Sequence, residues 1–177
     1  MNSRTTEFSP CRKYRYTLWR EWSVGDTLLF AEPPKEKIVT PPGDFKYLMV
    51  IGLNPSTADE TKDDPTIRRC IDFAKRWGFG ALCMTNLFAW RDTKPANMRK
   101  AAEPIGAEND RYLLECARGA GLILAAWGKN GSFMRRDTAV LSLLPSVHRL
   151  RLNDDGSPEH PLYIPATTLP VPFTTSK

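Results

Sequence analysis

Residues 47–59 read YLMVIGLNPSTAD, and this stretch decides the fold class. Its first half is a short, continuous apolar run, which predicts a β-strand that other elements cover on both faces. Gly52 and Pro55 then predict an abrupt turn, because glycine permits close approach of the backbone and proline restricts φ. A buried strand of this kind is typical of α/β proteins, so we expect helices between it and its neighbouring strands.

The chain that follows shows this alternation of strands and helices. Asp64 and Pro65 predict the N-cap and first position of a helix, which Gly78 ends. The remaining predicted elements are strands at 81–88 and 121–127, an edge strand at 146–152, and helices at 107–118 and 132–144. The order β-α-β-α-β-α-β predicts parallel pairing through right-handed crossovers. We therefore expect a three-layer α/β/α fold with a central four-stranded parallel sheet.

Residues 1–45 are predicted to form an N-terminal extension with a β-hairpin. Residues 1–10 have the composition of a loose segment, whereas 14–22 alternate aromatic and basic side chains, as a half-exposed strand does. Residues 27–31 are the expected partner strand, since Gly25 lies in the short turn between them. Residues 46–177 are predicted as the α/β domain, and the whole chain as one globular unit.

The composition indicates an ordinary soluble protein. Of 177 residues, 41% are hydrophobic and 25% are charged, which excludes wholesale disorder. No apolar run is long enough to span a membrane and no signal peptide is visible, so a cytoplasmic location is expected. The four cysteines form no CxxC pair, so we expect reduced thiols and neither a metal nor another cofactor.

Positive charge is concentrated in one part of the chain. The formal net charge is +5, and residues 67–100 alone carry eight Lys or Arg against two Asp. Localised positive charge favours a polyanionic partner. A solvated helix face followed by a basic loop explains the same pattern equally well.

Polar residues follow three of the predicted strands, at the edge where ligands bind in open parallel sheets. After the first strand, Asn54 has an amide that does not titrate, so it can orient a water but cannot act as a strong base. Asp59, or less favourably Asp63, supplies a candidate carboxylate. A turn with capping polar groups is an equal alternative.

The second and third segments are MTNLFAWR at 84–91 and HPLYIP at 160–165. Asn86 lies in an apolar strand and requires partners, and its amide can pair with the edge of a pyrimidine, although a structural amide fits equally. Phe88 and Trp90 are candidates to stack on a base, or are core residues. His160 lies in a Pro-rich loop, where a histidine can donate to a developing anion or have no role.

Taken in order, these segments resemble the motifs of the uracil-DNA glycosylase-like superfamily. The resemblance rests on GLNPS at 52–56, CMTNLFAWR at 83–91, KPANMRKA at 94–101, LLECARGAGLILAAWG at 113–128 and HPLYIP at 160–165. GLNPSTAD at 52–59 with DDPTIRRC at 63–70 is more closely similar to a functionally uncharacterised family of small bacterial and phage proteins within that superfamily.

The resemblance implies roles for Asn54, Asn86 and His160, and the chemistry of the neighbouring residues adds further candidates. Asn54 would position the attacking water, Asn86 would recognise a flipped base, and His160 would stabilise negative charge on that base; Asp59 is the candidate carboxylate. Further expected contacts to the base come from Gly52, Leu53, Pro55, Ser56, Phe88 and Trp90. Expected contacts to phosphate come from Arg68, Arg69, Arg91 and Lys94.

Three features depart from the superfamily pattern. Asn54 stands where the commonest branch has an aspartate, which implies weaker activation of water. The chain lacks the N-terminal cysteine pair of the iron–sulfur branch. No serine follows Pro161, and Tyr163 is unexpected in that loop.

The predicted function is hydrolysis of the N-glycosidic bond of a flipped or modified base in DNA. Two alternatives stay open. The same pocket would serve a non-catalytic module that binds nucleic acid or a nucleotide, or a hydrolase of small nucleotides. The expected partner is therefore nucleic acid, with DNA favoured, or a nucleotide, since fold alone does not determine function.

Overall fold

The computed structural model describes residues 4–22, 47–144 and 146–174, which form a mixed α/β fold around one seven-stranded sheet. The strands are β1 (Arg4–Phe8), β2 (Arg15–Glu21), β3 (Tyr47–Gly52), β4 (Ala81–Asn86), β5 (Ala120–Ala125), β6 (His148–Arg149) and β7 (Val171–Pro172). The helices are α1 (Pro65–Arg76), α2 (Pro95–Met98), α3 (Asn109–Gly119) and α4 (Arg136–Leu143), with 3-10 segments at Gly128–Arg135 and Pro161–Tyr163.

The sheet is larger than predicted and is mixed. Its strand order is β1-β2-β4-β3-β5-β6-β7. The pairs β3/β4, β3/β5 and β5/β6 are parallel, while β1, β2 and β7 add antiparallel pairs on the two sides. The prediction of a sheet of four parallel strands is therefore wrong in extent. The strand predicted as an edge at 146–152 is observed as β6 and is interior, because β7 pairs with it on the far side. The strand β7 was not predicted, because a strand of two residues is too short to show a period in the sequence.

The N-terminal prediction needs a correction as well. Residues 4–8, expected to be loose, form β1 and pair antiparallel with β2. The polar sequence RTTEF suits this position, because an edge strand has one unpaired side and tolerates exposed polar residues. The predicted partner strand at 27–31 lies outside the described residues. On its other side, β2 pairs with β4, with Leu18 opposite Met84, so β2 belongs to the main sheet.

Both faces of the central strands are buried, as their continuous apolar sequences predict. In β3, Leu48 and Val50 belong to the core cluster that includes α1, whereas Met49 and Ile51 belong to the cluster that includes α3 and α4. Helices therefore lie against both faces of the sheet, and the alternation of the strand divides its side chains between two cores.

The boundaries of α1 follow its predicted signals. Asp64 is the N-cap and accepts a hydrogen bond from the Ile67 amide at 2.9 Å, and Pro65 is the first helical residue. Gly78 follows the helix with φ of +82°, a conformation that favours glycine. By contrast, α4 begins at Arg136 rather than at 132, because Met134 and Arg135 adopt left-handed φ values of 55° and 52°. Pro145, its predicted stop, lies outside the described residues.

Within 4–22, 47–144 and 146–174, no helix has the length and apolar character needed to cross a bilayer.

Candidate functional site

A cavity of about 410 Å³ lies at the carboxyl ends of β3, β4 and β5. This is the edge at which parallel sheets bind ligands, and the volume falls within the roughly 300–1,000 Å³ of small-molecule sites. All three polar segments singled out in the sequence contribute to it. The predicted site residues that line it are Gly52, Leu53, Asn54, Ser56, Asn86 and His160.

Asn86, the last residue of β4, carries an unpaired amide. Its side chain is 1% exposed, and neither Oδ1 nor Nδ2 has a hydrogen-bond partner among the described residues. Its backbone is held in place, since Asn109 Nδ2 donates to the Asn86 carbonyl at 3.1 Å. An unsatisfied buried polar group costs about 1–3 kcal/mol, and most such groups are paired. The amide therefore offers one donor pair and one acceptor to whatever enters the cavity.

Gly52 provides the space for this amide. A Cβ atom at Gly52 would lie 2.9 Å from Asn86 Oδ1 and 2.7 Å from the Met84 Cε atom. Because both distances are below ordinary van der Waals contact, any side chain here would displace the amide or the methionine. The glycine at the end of β3 is thus required for close approach between neighbouring strands.

The amide nitrogen of Asn54 is hydrogen-bonded to backbone carbonyls of the loops around the cavity. Its Nδ2 donates to the carbonyl oxygens of Asp92 at 2.7 Å and Pro55 at 3.1 Å. An ionised aspartate at position 54 would face these carbonyls without a proton to donate, which gives asparagine a structural reason here. Among the described residues, none donates a hydrogen bond to Asn54 Oδ1. This oxygen can therefore accept a hydrogen bond from a water or a ligand.

His160 lines the cavity in its neutral form at neutral pH. Burial lowers the pKa of His160, and the attraction of the Asp64 carboxylate opposes that shift in part. Its Nδ1 accepts a hydrogen bond from the Leu162 amide at 3.4 Å. The neutral ring therefore carries its proton on Nε2, which makes Nε2 a hydrogen-bond donor.

Asp64 brings a carboxylate to the cavity, and the sequence pattern identified it only as a helix cap. Its Oδ1 accepts the Ile67 amide, and the first residues of α1, Thr66 and Ile67, line the cavity beside it. Asp92 also lines the cavity, but its Oδ1 accepts from the Lys94 amide at 2.8 Å and from Asn97 Nδ2 at 3.1 Å. Asp64 is thus the carboxylate with the fewer described hydrogen bonds. The sequence feature that could have drawn attention to Asp64 is its position directly after Asp63, a residue already considered as a candidate carboxylate.

The structure does not place Asp59 or Asp63 in the cavity lining. Asp59 Oδ1 accepts from the Thr61 and Lys62 amides at 2.9 and 2.8 Å, which holds the pKa of Asp59 down at about 2. Asp63 forms ion pairs with Arg20 at 2.7 Å and with Arg4 at 3.1 Å. Both carboxylates stabilise the loop between β3 and α1 and its contact with the N-terminal strands.

The expected stacking residues lie elsewhere. Phe88 is 0% exposed and packs against Phe133, and Trp90 contacts Tyr14 edge to face at 5.5 Å between ring centroids. Pro55 is buried and is not among the lining residues either. The aromatic side chains that line the cavity are Trp127, just after β5, and Tyr163, which is 76% exposed at its rim.

Trp127 also separates the site from a second cavity of about 340 Å³, since it lines both. Its Nε1 is buried without a described hydrogen-bond partner. A Cβ atom at Gly131 would lie 2.2 Å from Trp127 Cδ1, so the glycine lets the following segment cover the indole ring. The apolar sequence of β5 predicted a core role for this tryptophan and gave no signal of its position at the cavity.

None of the four predicted phosphate contacts lines the cavity. Arg68 is exposed and donates to the Asp63 carbonyl at 2.7 Å, and Lys94 is exposed just before α2. Arg69 donates to the Ile164 carbonyl and stacks over Phe73, so it ties α1 to the loop that carries His160. The guanidinium of Arg91 lies 4.6 Å from the Phe8 ring centroid.

The sequence reasoning also missed a cation in the cavity. Arg15, the first residue of β2, is 2% exposed and lines the site with its guanidinium hydrogen-bonded to the Ala58 carbonyl at 2.7 Å. The alternating YRYTLW sequence indicated a strand, but not the direction of this side chain. Within the described residues, no group of three or more His, Cys, Asp or Glu side chains has the arrangement of a metal site.

The comparisons with known proteins identify the family. No curated protein and no solved structure is significantly similar to the chain. One family model matches residues 15–162, which span β2 through the His160 loop and include every described residue of the cavity discussed above except Tyr163. The chain therefore belongs to the family described as protein of unknown function (DUF1643).

Proposed function

We propose that the protein binds a nucleobase in this cavity and hydrolyses its N-glycosidic bond, with a base flipped from DNA as the substrate. The observation that carries the proposal is the unpaired amide of Asn86. A nucleobase edge with an adjacent donor and acceptor would satisfy Oδ1 and Nδ2 together, which removes the cost of leaving them buried and unpaired.

The other lining groups suit the chemistry of this bond. Asn54 Oδ1 would accept a hydrogen bond from a water, and the Asp64 carboxylate would take the proton as the water oxygen attacks the anomeric carbon. The C–N bond would break with its electron pair moving to the base. His160 Nε2 would donate a hydrogen bond to the base anion that develops. Trp127 and Tyr163 are the aromatic residues we propose to contact the base, in place of Phe88 and Trp90.

Two further observations support this proposal. The motifs that resemble the uracil-DNA glycosylase-like superfamily lie on three neighbouring strand ends and converge at one cavity. Helices on both faces of the sheet fit the three-layer α/β/α arrangement that the resemblance implies. For a DNA substrate, Lys94 is the candidate phosphate contact nearest in sequence to the lining residues Thr93 and Pro95.

Base release tests the proposal directly. Purified protein would be incubated with duplex and single-stranded DNA that contains uracil, hypoxanthine, a thymine mismatch, or alkylated or phage-modified bases. We expect release of one of these bases, and loss of release in the variants Asn54→Ala, Asp64→Ser and His160→Ala. His148→Ala is the matched control, since His148 is the other histidine of the chain and lies outside the cavity lining.

Two results would contradict the catalytic proposal. Salt-dependent binding without release would assign the cavity to a binding module. Release that persists in all three cavity variants would place the chemistry elsewhere in the molecule.

A further inference from the structure

Arg15 is a buried cation, and most of its N–H donors have no acceptor among the described residues. It is 2% exposed, its one described hydrogen bond joins Nη1 to the Ala58 carbonyl, and its Nε has no partner among the described residues. No described carboxylate lies within 4.0 Å of its guanidinium. An arginine has five N–H donors, so most of its capacity faces no described partner.

Arg20, on the same strand, shows what a satisfied buried arginine looks like in this protein. It is also 2% exposed, but its three nitrogens donate to Asp63 Oδ1 at 2.7 Å, to the Trp19 carbonyl at 2.8 Å and to the Asp59 carbonyl at 2.5 Å. Arg20 does not line the cavity. The arginine with open donors is therefore the one that borders the cavity.

A β-bulge aims Arg15 at the cavity. Along β1 and β2, Glu7 pairs with Thr17 and Phe8 pairs with Arg15, which leaves Tyr16 without a partner residue. The extra residue interrupts the alternation of side chains, so Tyr16 stacks on Tyr112 of α3 while Arg15 reaches the loop between β3 and α1. Bulges commonly redirect a side chain next to a functional site.

The guanidinium keeps its charge in this setting. Burial lowers the pKa of Arg15 to about 10, and the attraction of the Asp64 carboxylate opposes that shift. The side chain is therefore protonated at neutral pH. A buried charge without a close counter-ion is costly, and an anionic ligand in the cavity would offset that cost.

We infer that Arg15 forms an anion subsite of the cavity, which binds the phosphate of a nucleotide whose base lies against Asn86. The inference rests on the proposed function for the choice of a nucleotide. The planar fork of arginine matches phosphate geometry, and both residues line the same 410 Å³ space. Because Arg15 is covered by the loop that it contacts, a terminal phosphate monoester reaches it more readily than a phosphate within a continuous strand. In addition to the flipped base of the proposed function, the ligand assigned to this subsite is thus a nucleoside 5′-monophosphate.

Calorimetric titration tests the subsite on the full chain. The probes are inorganic phosphate, an oligonucleotide without terminal phosphate, and the nucleoside and 5′-monophosphate of each common base. We expect one monophosphate to bind about tenfold or more tightly than its nucleoside, as charge-assisted hydrogen bonds allow. Arg15→Met should remove this difference and keep the affinity for the nucleoside. Arg118→Met is the control, because Arg118 is exposed in the last turn of α3 and does not line the cavity, and it should leave both affinities unchanged.

A second measurement covers the case in which Arg15→Met does not fold. Arg15→Lys keeps the charge without the fork and should retain part of the preference for the monophosphate. In the wild type, phosphate should also shift the Arg15 Nε resonance in a nitrogen NMR spectrum.

The possible failures are distinguishable. Equal affinity for every nucleoside and its monophosphate, with no response to inorganic phosphate, would overturn the subsite and leave base recognition standing. Arg15-dependent binding of phosphate without binding of any nucleoside would support the subsite and contradict the recognition of a base by Asn86, on which the proposed function rests. Arg15-dependent binding of the oligonucleotide that exceeds that of every monophosphate would overturn the assignment to a terminal phosphate.

Discussion

At the scale of single residues, the amide of Asn86 lowers the stability of the free protein and, in the proposed function, binds the ligand. The unpaired group is costly in the free protein, and a ligand that pairs with it recovers that cost. An amide without partners would be a poor choice for a purely structural position at the end of a buried strand, because burying its unpaired atoms costs free energy.

Replacing Asn86 with leucine separates the two effects. Asn86→Leu keeps a similar volume and removes the unpaired polar atoms, so we expect the free energy of unfolding in urea to rise by about 1 kcal/mol while base binding is lost. A fall of more than about 1 kcal/mol would contradict this reading and show that the amide stabilises the free fold.

Gly52 controls the position of that amide. Gly52→Ala would place a methyl group 2.9 Å from Asn86 Oδ1, so we expect loss of base binding together with destabilisation of about 1–3 kcal/mol. Gly78→Ala is the control, because its Cβ would meet no atom within 4 Å but its φ is +82°. The control should lose about 1 kcal/mol in thermal or urea unfolding and bind normally. Normal binding by Gly52→Ala would refute the close-approach role.

At the scale of elements, the N-terminus of α1 combines a structural and an electrostatic task in one residue. Asp64 caps the helix and faces the cavity that contains His160 and Arg15. The capping geometry fixes the carboxylate, since its Oδ1 is bound to the Ile67 amide at 2.9 Å. The N-terminus of α1 therefore holds a charged side chain in a fixed position at the cavity.

Asp64→Ser should separate these tasks. Serine also caps helices, so we expect a loss of stability of less than about 1 kcal/mol, compared with about 1 kcal/mol or more for Asp64→Ala. Removing the carboxylate removes an attraction that raises the pKa of His160, so the pKa of His160 should fall further below 6.5. Titration of the two histidine ring signals by NMR measures this, with His148 as the internal reference. An unchanged His160 titration would show that Asp64 does not act on the ring.

The strand β2 also combines a structural role with a candidate functional one. It pairs with β4 through a regular register, and the bulge at Tyr16 then turns its first residue toward the cavity. One strand thus supplies both an ordinary sheet contact, Leu18 opposite Met84, and a functional candidate, Arg15.

At the scale of the whole molecule, burial of the two histidines links stability to pH. Burial lowers the pKa of both His148 and His160 in the folded protein, while the unfolded chain titrates near 6.5. As pH falls through 6.5, the unfolded state binds protons first, so stability is lost toward the lower folded pKa values. Above 6.5 both states are deprotonated and this contribution is constant.

Urea unfolding between pH 7.5 and pH 5 checks this linkage, a range chosen to bracket the ordinary histidine pKa at about 6.5. We expect the free energy of unfolding to fall with pH in the wild type and to fall less steeply when His148 and His160 are both replaced by glutamine. An equally steep fall in the double variant would assign the pH dependence to other groups.

Much of the framework was predictable because it depends on local chemistry. Continuous apolar runs identified β3, β4 and β5, and Asp64 with Pro65 identified the start of α1. Since parallel strands end at one edge, the sequence also predicted that Asn54, Asn86 and His160 would meet, and all three line one cavity. Their chemical roles stay predictions.

By itself, then, the amino-acid sequence determined the central strands, the capped helix and the edge at which polar groups gather, because periodicity and capping act between near neighbours. Only the tertiary structure decided that β2 pairs with β4, that β1 and β7 extend the sheet, and that Phe88 is enclosed in the core while Arg15 faces the cavity. These outcomes depend on pairing and packing between residues far apart in the chain, such as Arg15 and the Ala58 carbonyl, 43 positions away. No local pattern encodes which distant surface a side chain will meet, and that surface decides whether a buried polar group is satisfied or left open for a ligand.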